Sequence, residues 1–250
     1  VGNTTDILAR FAPISLAEMD DVKLQDRMDS KFVFSEADLA EVLTHMVTSY
    51  RLLEVGGHRG TAYRSLYLDT ADLRCYRDHH DQRTFRSKVR YREYLGSGLC
   101  FLEVKRKTGR GRTDKARLPV DHIPEHPPLE HRVFITGSGG PSEELVPVLW
   151  NYFTRYTFVR RDAPERLTMD LGLRFSDPGG TRSLGDIVVA ELKQPRIDHA
   201  SPFMRLMRER GIRPGGMSKY CVGMLMLGRP VKHNAFKPVL RLLDRLRHAA

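Results

Sequence analysis

FRSKVRYREY, residues 85 to 94, puts a cation at every second position, Arg86, Lys88, Arg90 and Arg92, with Ser87, Val89 and Tyr91 between them. Side chains on a β-strand alternate between faces, so the four cations share one face. The same rule groups Arg27, Asp29 and Lys31; Glu103, Lys105 and Lys107; Lys115 and Arg117; Arg166 and Asp170; and Glu191 and Lys193. The opposite faces hold Met28, Phe32 and Phe34, then Val89 and Tyr91, Leu102 and Val104, Ala116 and Leu118, and Leu167, Met169 and Leu171. If the apolar faces pack outward under helices, the sheet encloses a wall of Arg, Lys and Glu, the reverse of a barrel filled with apolar side chains. For any one strand a solvated charged face is the simpler reading. Repetition along the chain weighs against it: successive cations about 6.8 Å apart repel, and a wall of them makes sense when an anion neutralises it.

The remaining pattern predicts what surrounds that wall. SLAEMDDVKLQD (15–26) starts with Ser15 and Glu18 in capping-box spacing and predicts a short helix, followed by a strand at 27–34 and an amphipathic helix at 35–50. Strands are expected at YRLLEV, TAYRSLYLDT, TFRSKVRYREYL, GLCFLEVKRKT and TDKARLPV, interrupted at 70–81 by a short helix or loop. Residues 121–141 read as an irregular excursion, and 142–153 as a helix with Pro147 in its first turns. RYTFVRRDA, ERLTMDLGLRF and DIVVAELKQP predict three more strands. Ser201 and Pro202 open a helix that stops at Gly211, 218–227 is a strand or short helix, and VLRLLDRLRHAA is a basic terminal helix. Eight or nine strands joined mostly by short turns predict an α+β fold: an antiparallel barrel with helices packed outside, occupying 1–228, and a helical tail at 229–250.

A net charge of +10 and a pI near 9.7 predict an anionic partner, whether nucleic acid, phosphate chains or an acidic membrane surface. Aromatic residues for base stacking are sparse on the charged faces, so nucleic acid is not expected. Cys75, Cys100 and Cys221 are isolated, without CxxC spacing, which argues against a disulfide framework or zinc knuckle and for a reducing, cytoplasmic setting. CVGMLML (221–227) is far short of the roughly 20 residues of a membrane span, and no secretory leader is expected. GRGRTDK (109–115) lacks the P-loop pattern and reads as a hairpin tip able to fold over substrate. His79, His80, His122, His126 and His131 read as polar rather than metal-binding, and LRLLDRLRH as packing on its own domain in preference to a membrane surface.

Carboxylates complicate the cation wall. Glu103, Glu191 and Asp170 fall on the same faces, where they serve either as salt-bridge partners of Lys105 and Lys193 or as hard oxygen ligands for Mg²⁺ or Mn²⁺. Cations with a few acids suit metal-assisted phosphoryl chemistry, in which positioning and charge neutralisation dominate.

RMDSKFVF (27–34), YRSLYLDT (63–70), KVRYREY (88–94), FLEVKRK (101–107), RLTMDLGLRF (166–175), VVAELKQP (188–195) and SKY (218–220), in this order, resemble the VTC domain. That domain is the polyphosphate polymerase module of the vacuolar transporter chaperone family, within the CYTH-like triphosphate tunnel metalloenzymes. The resemblance implies an eight-stranded tunnel barrel that transfers the ATP γ-phosphate to a growing inorganic polyphosphate chain with Mn²⁺ or Mg²⁺ and threads the product through. By position it implies phosphate contact by Lys31 and Arg64, a basic strand of Lys88, Arg90 and Arg92, Glu103 and Lys105 on the ExK strand, Arg161 and Arg166 further on, Glu191 as metal ligand beside Glu103, and Lys219 of SKY. Lys107, Lys115 and Lys193 join them as phosphate-binding, and Lys88, Arg90, Lys105 and Lys219 are the catalytic candidates. Arg160 competes with Arg161 for one place. RxDxK rather than the superfamily's ExExK favours the polymerase branch over hydrolases of tripolyphosphate or organic triphosphates; a third reading is a polyphosphate-binding module without catalysis. Eukaryotic members carry an N-terminal phosphate-sensing domain, for which no segment is expected here. Bacterial stand-alone members lack it too, so export would fall to a separate membrane protein, with this chain cytoplasmic or peripheral to the inner face of the membrane.

Overall fold

The computed structural model describes residues 3–21, 28–109 and 113–248. Its strands are β1 (Ala12–Ile14), β2 (Met28–Ser35), β3 (Tyr50–Leu53), β4 (Gly60–Asp69), β5 (Arg86–Tyr94), β6 (Leu99–Lys107), β7 (Thr113–Val120), β8 (Val146–Arg160), β9 (Arg166–Asp177), β10 (Gly180–Ser183) and β11 (Ile187–Gln194). The helices are α1 (Thr4–Ala9), α2 (Leu16–Asp21), α3 (Leu39–Met46), α4 (Arg74–His80), α5 (Leu129–Gly137), α6 (Pro202–Glu209), α7 (Lys219–Met226) and α8 (Lys237–His248). Eight strands pair in the antiparallel order β2-β11-β9-β8-β4-β5-β6-β7; β10 extends β9, β3 joins β8, and β1 lies parallel to β3. The path ends at β2 and β7, which share no backbone pairing among the described residues. Along the free edge of β2, the Gly215 N–H donates to the Lys31 carbonyl at 2.8 Å. A Cβ on neighbouring Gly216 would stand 3.0 Å from Lys31 Cδ, so the segment lies close along the Lys31 side chain.

The alternating pattern decides which face the helices cover. Phe32, Phe34, Leu167, Met169, Val188, Ala190 and Leu192 pack outward against Leu39, Val42, Leu43 and Met46 of α3 and Phe203 and Met207 of α6. Leu66, Leu68, Val89, Tyr91, Leu102 and Val104 form a second outward cluster under Ile135 of α5. There the Tyr91 hydroxyl and His131 Nδ1 are joined at 2.8 Å, both buried. Thus the excursion at 121–141 contains a covering helix.

Residues 142–153, expected to be helical, instead lead into β8, the longest strand. Its Val, Trp, Tyr, Phe and Thr residues favour a pleated surface. Pro147 sits beside the register shift between Tyr67 and Leu68, where an absent N–H is tolerated. At the N-terminus the capping box forms: the Ser15 N–H donates to Glu18 Oε2 at 2.9 Å, and the Glu18 N–H to Ser15 Oγ at 3.3 Å. The rest of that expected helix, with Arg27, lies outside the described residues, as does the tip of the 109–115 hairpin at 110–112.

Segment 218–227 resolves as α7, with Ser218 as its cap. This helix packs on inner-face residues of the sheet, Val33, Tyr67, Leu149, Leu173, Phe175 and Val189, and α8 adds Leu243 to the same cluster. Buried Asp69 anchors it, accepting the Tyr220 hydroxyl at 2.5 Å while also accepting the Cys75 and Tyr76 N–H groups of α4 at 2.8 and 2.9 Å. A Cβ on Gly223 would lie 2.7 Å from Phe175 Cδ1 and 3.2 Å from Leu149 Cδ2. Gly223→Ala is therefore expected to destabilise the fold by about 1–3 kcal/mol despite its better helix propensity, measured as a lower urea midpoint at unchanged m-value.

Candidate active site

The faces turned away from the helices enclose a cavity of about 330 Å³. Ten basic side chains line it, from Lys31 of β2 through Lys88, Arg90 and Arg92 of β5 to Lys219 of α7, against four carboxylates, Asp29, Glu103, Asp170 and Glu191. An excess of six positive charges in so small a volume makes it a receptor for a multiply charged anion.

Each inner carboxylate organises cations. Glu103, 3% exposed, accepts Arg90 Nε and Nη2 at 2.8 and 2.6 Å on one oxygen and Lys115 Nζ at 2.7 Å on the other, with Arg92 Nε 3.8 Å away. Asp170, 2% exposed, takes Arg155 bidentately at 2.6 and 2.8 Å and Lys219 Nζ at 2.5 Å. Glu191 accepts Lys193 at 2.6 Å and lies 3.4 Å from Lys31, while Lys193 also reaches Asp29 at 3.4 Å. Burial works to raise all three carboxyls, but the cations around them hold Glu103, Asp170 and Glu191 well below the usual carboxylate range.

The cations left over define where an anion goes. Lys88 and Lys105 stand directly opposite each other across β5 and β6, and neither has an ion-pair partner among the described residues. Burial pushes Lys88 down to about 8, helped by Lys105 and Lys31, though Cys221 beside it pulls the other way. Lys105 opens to the solvent of the cavity but is ringed by protein, and burial with Lys31, Arg90 and Lys193 nearby also brings it to about 8. Arg92 is buried, its Nε has no hydrogen-bond partner, and burial with Arg90 and Arg155 close by pushes it down to about 10. Each of these groups gains if an anion arrives.

Most of the expected site residues meet here: Lys31, Lys88, Arg90, Arg92, Glu103, Lys105, Lys115, Arg166, Glu191, Lys193 and Lys219 line the cavity. Three do not. Arg64 points to the other face of β4, where it pairs with Glu93 and stacks 5.5 Å over Trp150. Arg161 falls just past the end of β8 and is exposed, and Arg160 is occupied by Asp162 and Asp198, so neither competitor reaches the bore. Lys107 shares the inner face of β6 but lies beyond the cavity. Arg155, which was not among the expected residues, lines the cavity. It has the same parity as Arg161, and its strand was legible; only the point at which β8 ends separates them. Asp170, grouped with the wall by alternation, proves to be the residue that fixes both Arg155 and Lys219.

Among the described residues no three His, Cys, Asp or Glu side chains converge on a point that would hold a metal. Asp29 and Glu191 approach each other across Lys193 Nζ, giving two carboxylates at one place, the number Mg²⁺ or Mn²⁺ uses when phosphate oxygens and water complete its shell. Glu103, expected as a second metal ligand, has both oxygens engaged by Arg90 and Lys115. None of the five histidines singled out above lines the bore.

A barrel of this topology with a basic bore is the fold of the CYTH-like triphosphate tunnel proteins. A putative adenylate cyclase from Bacillus halodurans superposes with a TM-score of 0.51 at 13% identity, over 78% of this chain and 96% of that one. A putative adenylyl cyclase from Hippeastrum, described as having a dominant triphosphatase activity, gives 0.50 at 16% identity over 83% and 99%. The VTC domain family model matches residues 26–126 and 140–228, and the chain belongs to that family. A search of curated proteins finds no match.

Because Lys88 and Lys105 sit near 8 in the folded protein against about 10.4 for a free lysine, the unfolded chain holds more protons between these values, and these two groups make the folded protein more stable as pH rises through that window. A bound polyanion favours their charged forms, so binding runs the opposite way. Tripolyphosphate affinity is expected to fall about tenfold or more from about pH 7 to about pH 10, with proton uptake on binding near about pH 9. Calorimetry in buffers of differing ionisation enthalpy measures both.

Proposed function

We propose that the protein is an ATP–polyphosphate phosphotransferase, a polyphosphate polymerase working in the bore of the barrel. The observation that carries this reading is the acid-pinned cation wall that leaves Lys88 and Lys105 without ion-pair partners, and the Arg92 Nε without a hydrogen-bond partner, among the described residues, in a chain of the VTC family. In the reaction a terminal oxygen of the acceptor chain bonds to the γ-phosphorus of ATP while the bond from that phosphorus to the β,γ-bridging oxygen breaks, releasing ADP. Little covalent work falls to the protein; it aligns two polyanions whose mutual repulsion would otherwise keep them apart, and balances charge on the transferred group.

Lys88, Arg90, Lys105 and Lys219 are the groups placed to touch the transferring phosphoryl oxygens, with Lys31, Arg92, Lys115, Arg155, Arg166 and Lys193 gripping the flanking phosphates. Glu103 and Asp170 position the cations, fixing Arg90 and Arg155 so that the guanidinium planes are set before substrate enters. Glu191, with Asp29 near it, would hold Mn²⁺ or Mg²⁺ together with substrate phosphates, and the ion would supply further charge neutralisation there.

A second reading, hydrolysis of a triphosphate, has its own support: α7 fills the inner faces of β2, β4, β8, β9 and β11, so the charged bore does not run straight through the barrel. A short triphosphate would fit such a pocket, as would the reactive end of a longer chain.

Incubation of the pure protein with ATP and Mn²⁺ separates the two. Polymer plus ADP is expected; free phosphate without polymer would transfer the assignment to hydrolysis. Lys219→Met is expected to lower the rate about 10²–10³-fold, and Glu191→Gln to raise the metal concentration needed for half-maximal rate. A Glu191→Gln protein with an unaltered metal titration would remove that residue from the metal site.

A further inference from the structure

β5 and β6 carry an uncommon arrangement. Their register places Lys88 opposite Lys105 and, two residues further out, Arg86 opposite Lys107. Like charges directly across an antiparallel pair are destabilising, and proteins ordinarily relieve them with a neighbouring acid. Here two such pairs follow one another on the same face, and no ion pair joins any of the four to a carboxylate among the described residues. Among the described residues the Arg86 guanidinium makes one hydrogen bond, donating to the Arg83 carbonyl at 2.5 Å. From α4, His79 flanks the group. Burial, with Lys88, Arg86 and Lys105 nearby, pushes it down to about 3, so it adds no charge of its own.

The inner pair belongs to the bore, and the outer pair lies beyond it. Lys193 and Lys31, which also lie near Lys105, are organised differently, held by Glu191 and Asp29. The lining therefore has a carboxylate-paired part around Glu191 and Asp29, and a part on β5 and β6, Lys88 and Lys105 with Arg86 and Lys107 beyond them, that no carboxylate pairs among the described residues. α7 packs on the inner faces of five strands, whereas among the described residues β5 adds only Tyr94 to that cluster and β6 adds nothing.

We propose that Arg86 and Lys107 form an outer subsite for inorganic polyphosphate, over which a chain too long for the bore leaves along β5 and β6 beside α7. This rests on the reading of the bore as a phosphate-chain site, and it adds a direction: reactive end toward Glu191, distal chain toward Arg86 and Lys107. A chain engaging the bore alone gains nothing from the outer pair, whereas a longer one gains two charge contacts.

The test compares tripolyphosphate with long polyphosphate of narrow length distribution, binding each to wild type and to an Arg86→Gln/Lys107→Gln double variant. Tripolyphosphate affinity is expected to stay within about twofold, which also reports that the variant is folded. Long-chain affinity is expected to weaken about tenfold, with the slope of log affinity against log salt reduced by about one to two. An Arg182→Gln/Arg241→Gln variant, which removes two exposed cations from β10 and α8, controls for net charge and is expected to match wild type. Equal weakening for short and long chains, no weakening for either, or an equal loss in the control variant overturns the outer subsite while leaving the bore assignment standing. If wild type binds neither ligand, the phosphate-chain reading of the bore fails and the subsite with it.

Discussion

Repulsion among desolvated cations is the constraint around which this molecule is built. Inward-facing Lys and Arg on consecutive strands would force the sheet open if nothing opposed them. Glu103, Asp170 and Glu191 oppose them locally: each carboxylate ties down two or three cations while leaving the site strongly positive. The three acids serve folding and binding together, because a wall neutralised completely would not attract an anion and one left bare would not fold. Burial first, and the neighbouring cations after it, hold Lys88 and Lys105 near 8.

Everything outside the wall compensates for that repulsion. With the inner faces given to charge, apolar burial has to come from the outer faces, and α3, α5 and α6 supply the surfaces that cover them. The exception is the end occupied by α7, where the inner faces of β2, β4, β8, β9 and β11 turn apolar and receive a helix. Its first residue, Lys219, reaches Asp170 in the bore, while Tyr220 is fixed by Asp69. One short helix thus fills part of an end of the barrel, adds to the core and delivers a cation to the site.

Much of this was legible in the sequence because a β-strand converts order along the chain directly into facing. The cation face of 85–94, the acid and lysines of 101–107 and the ELK of 191–193 needed only a period of two to be placed on one wall, and they lie on it. The errors trace to information that is not local. Residues 142–153 have the composition of an element that must pack, but helix or strand was settled by pairing with β4 and β9, and by a register shift that accommodates Pro147. Arg64 shows the limit of position matching: one residue of parity puts it on the outer face with Glu93 and Trp150. Arg161 lies one residue past the end of β8, while Arg155, of the same parity but well inside the strand, lines the cavity directly across from Asp170 of β9.

The sequence by itself determined that strands with one charged and one apolar face would form, that the charged faces would be basic, and which acids would share them, since all of these depend on spacing and residue type alone. Only the tertiary structure decided that the charged faces look at one another, which cations each carboxylate neutralises, and that α7 enters one end. Those outcomes depend on distances between strands far apart in the chain. Coulomb energy varies with separation in space, so the same charges read as an ordinary solvated surface until the sheet curls and brings β2, β5, β9 and β11 around a single cavity.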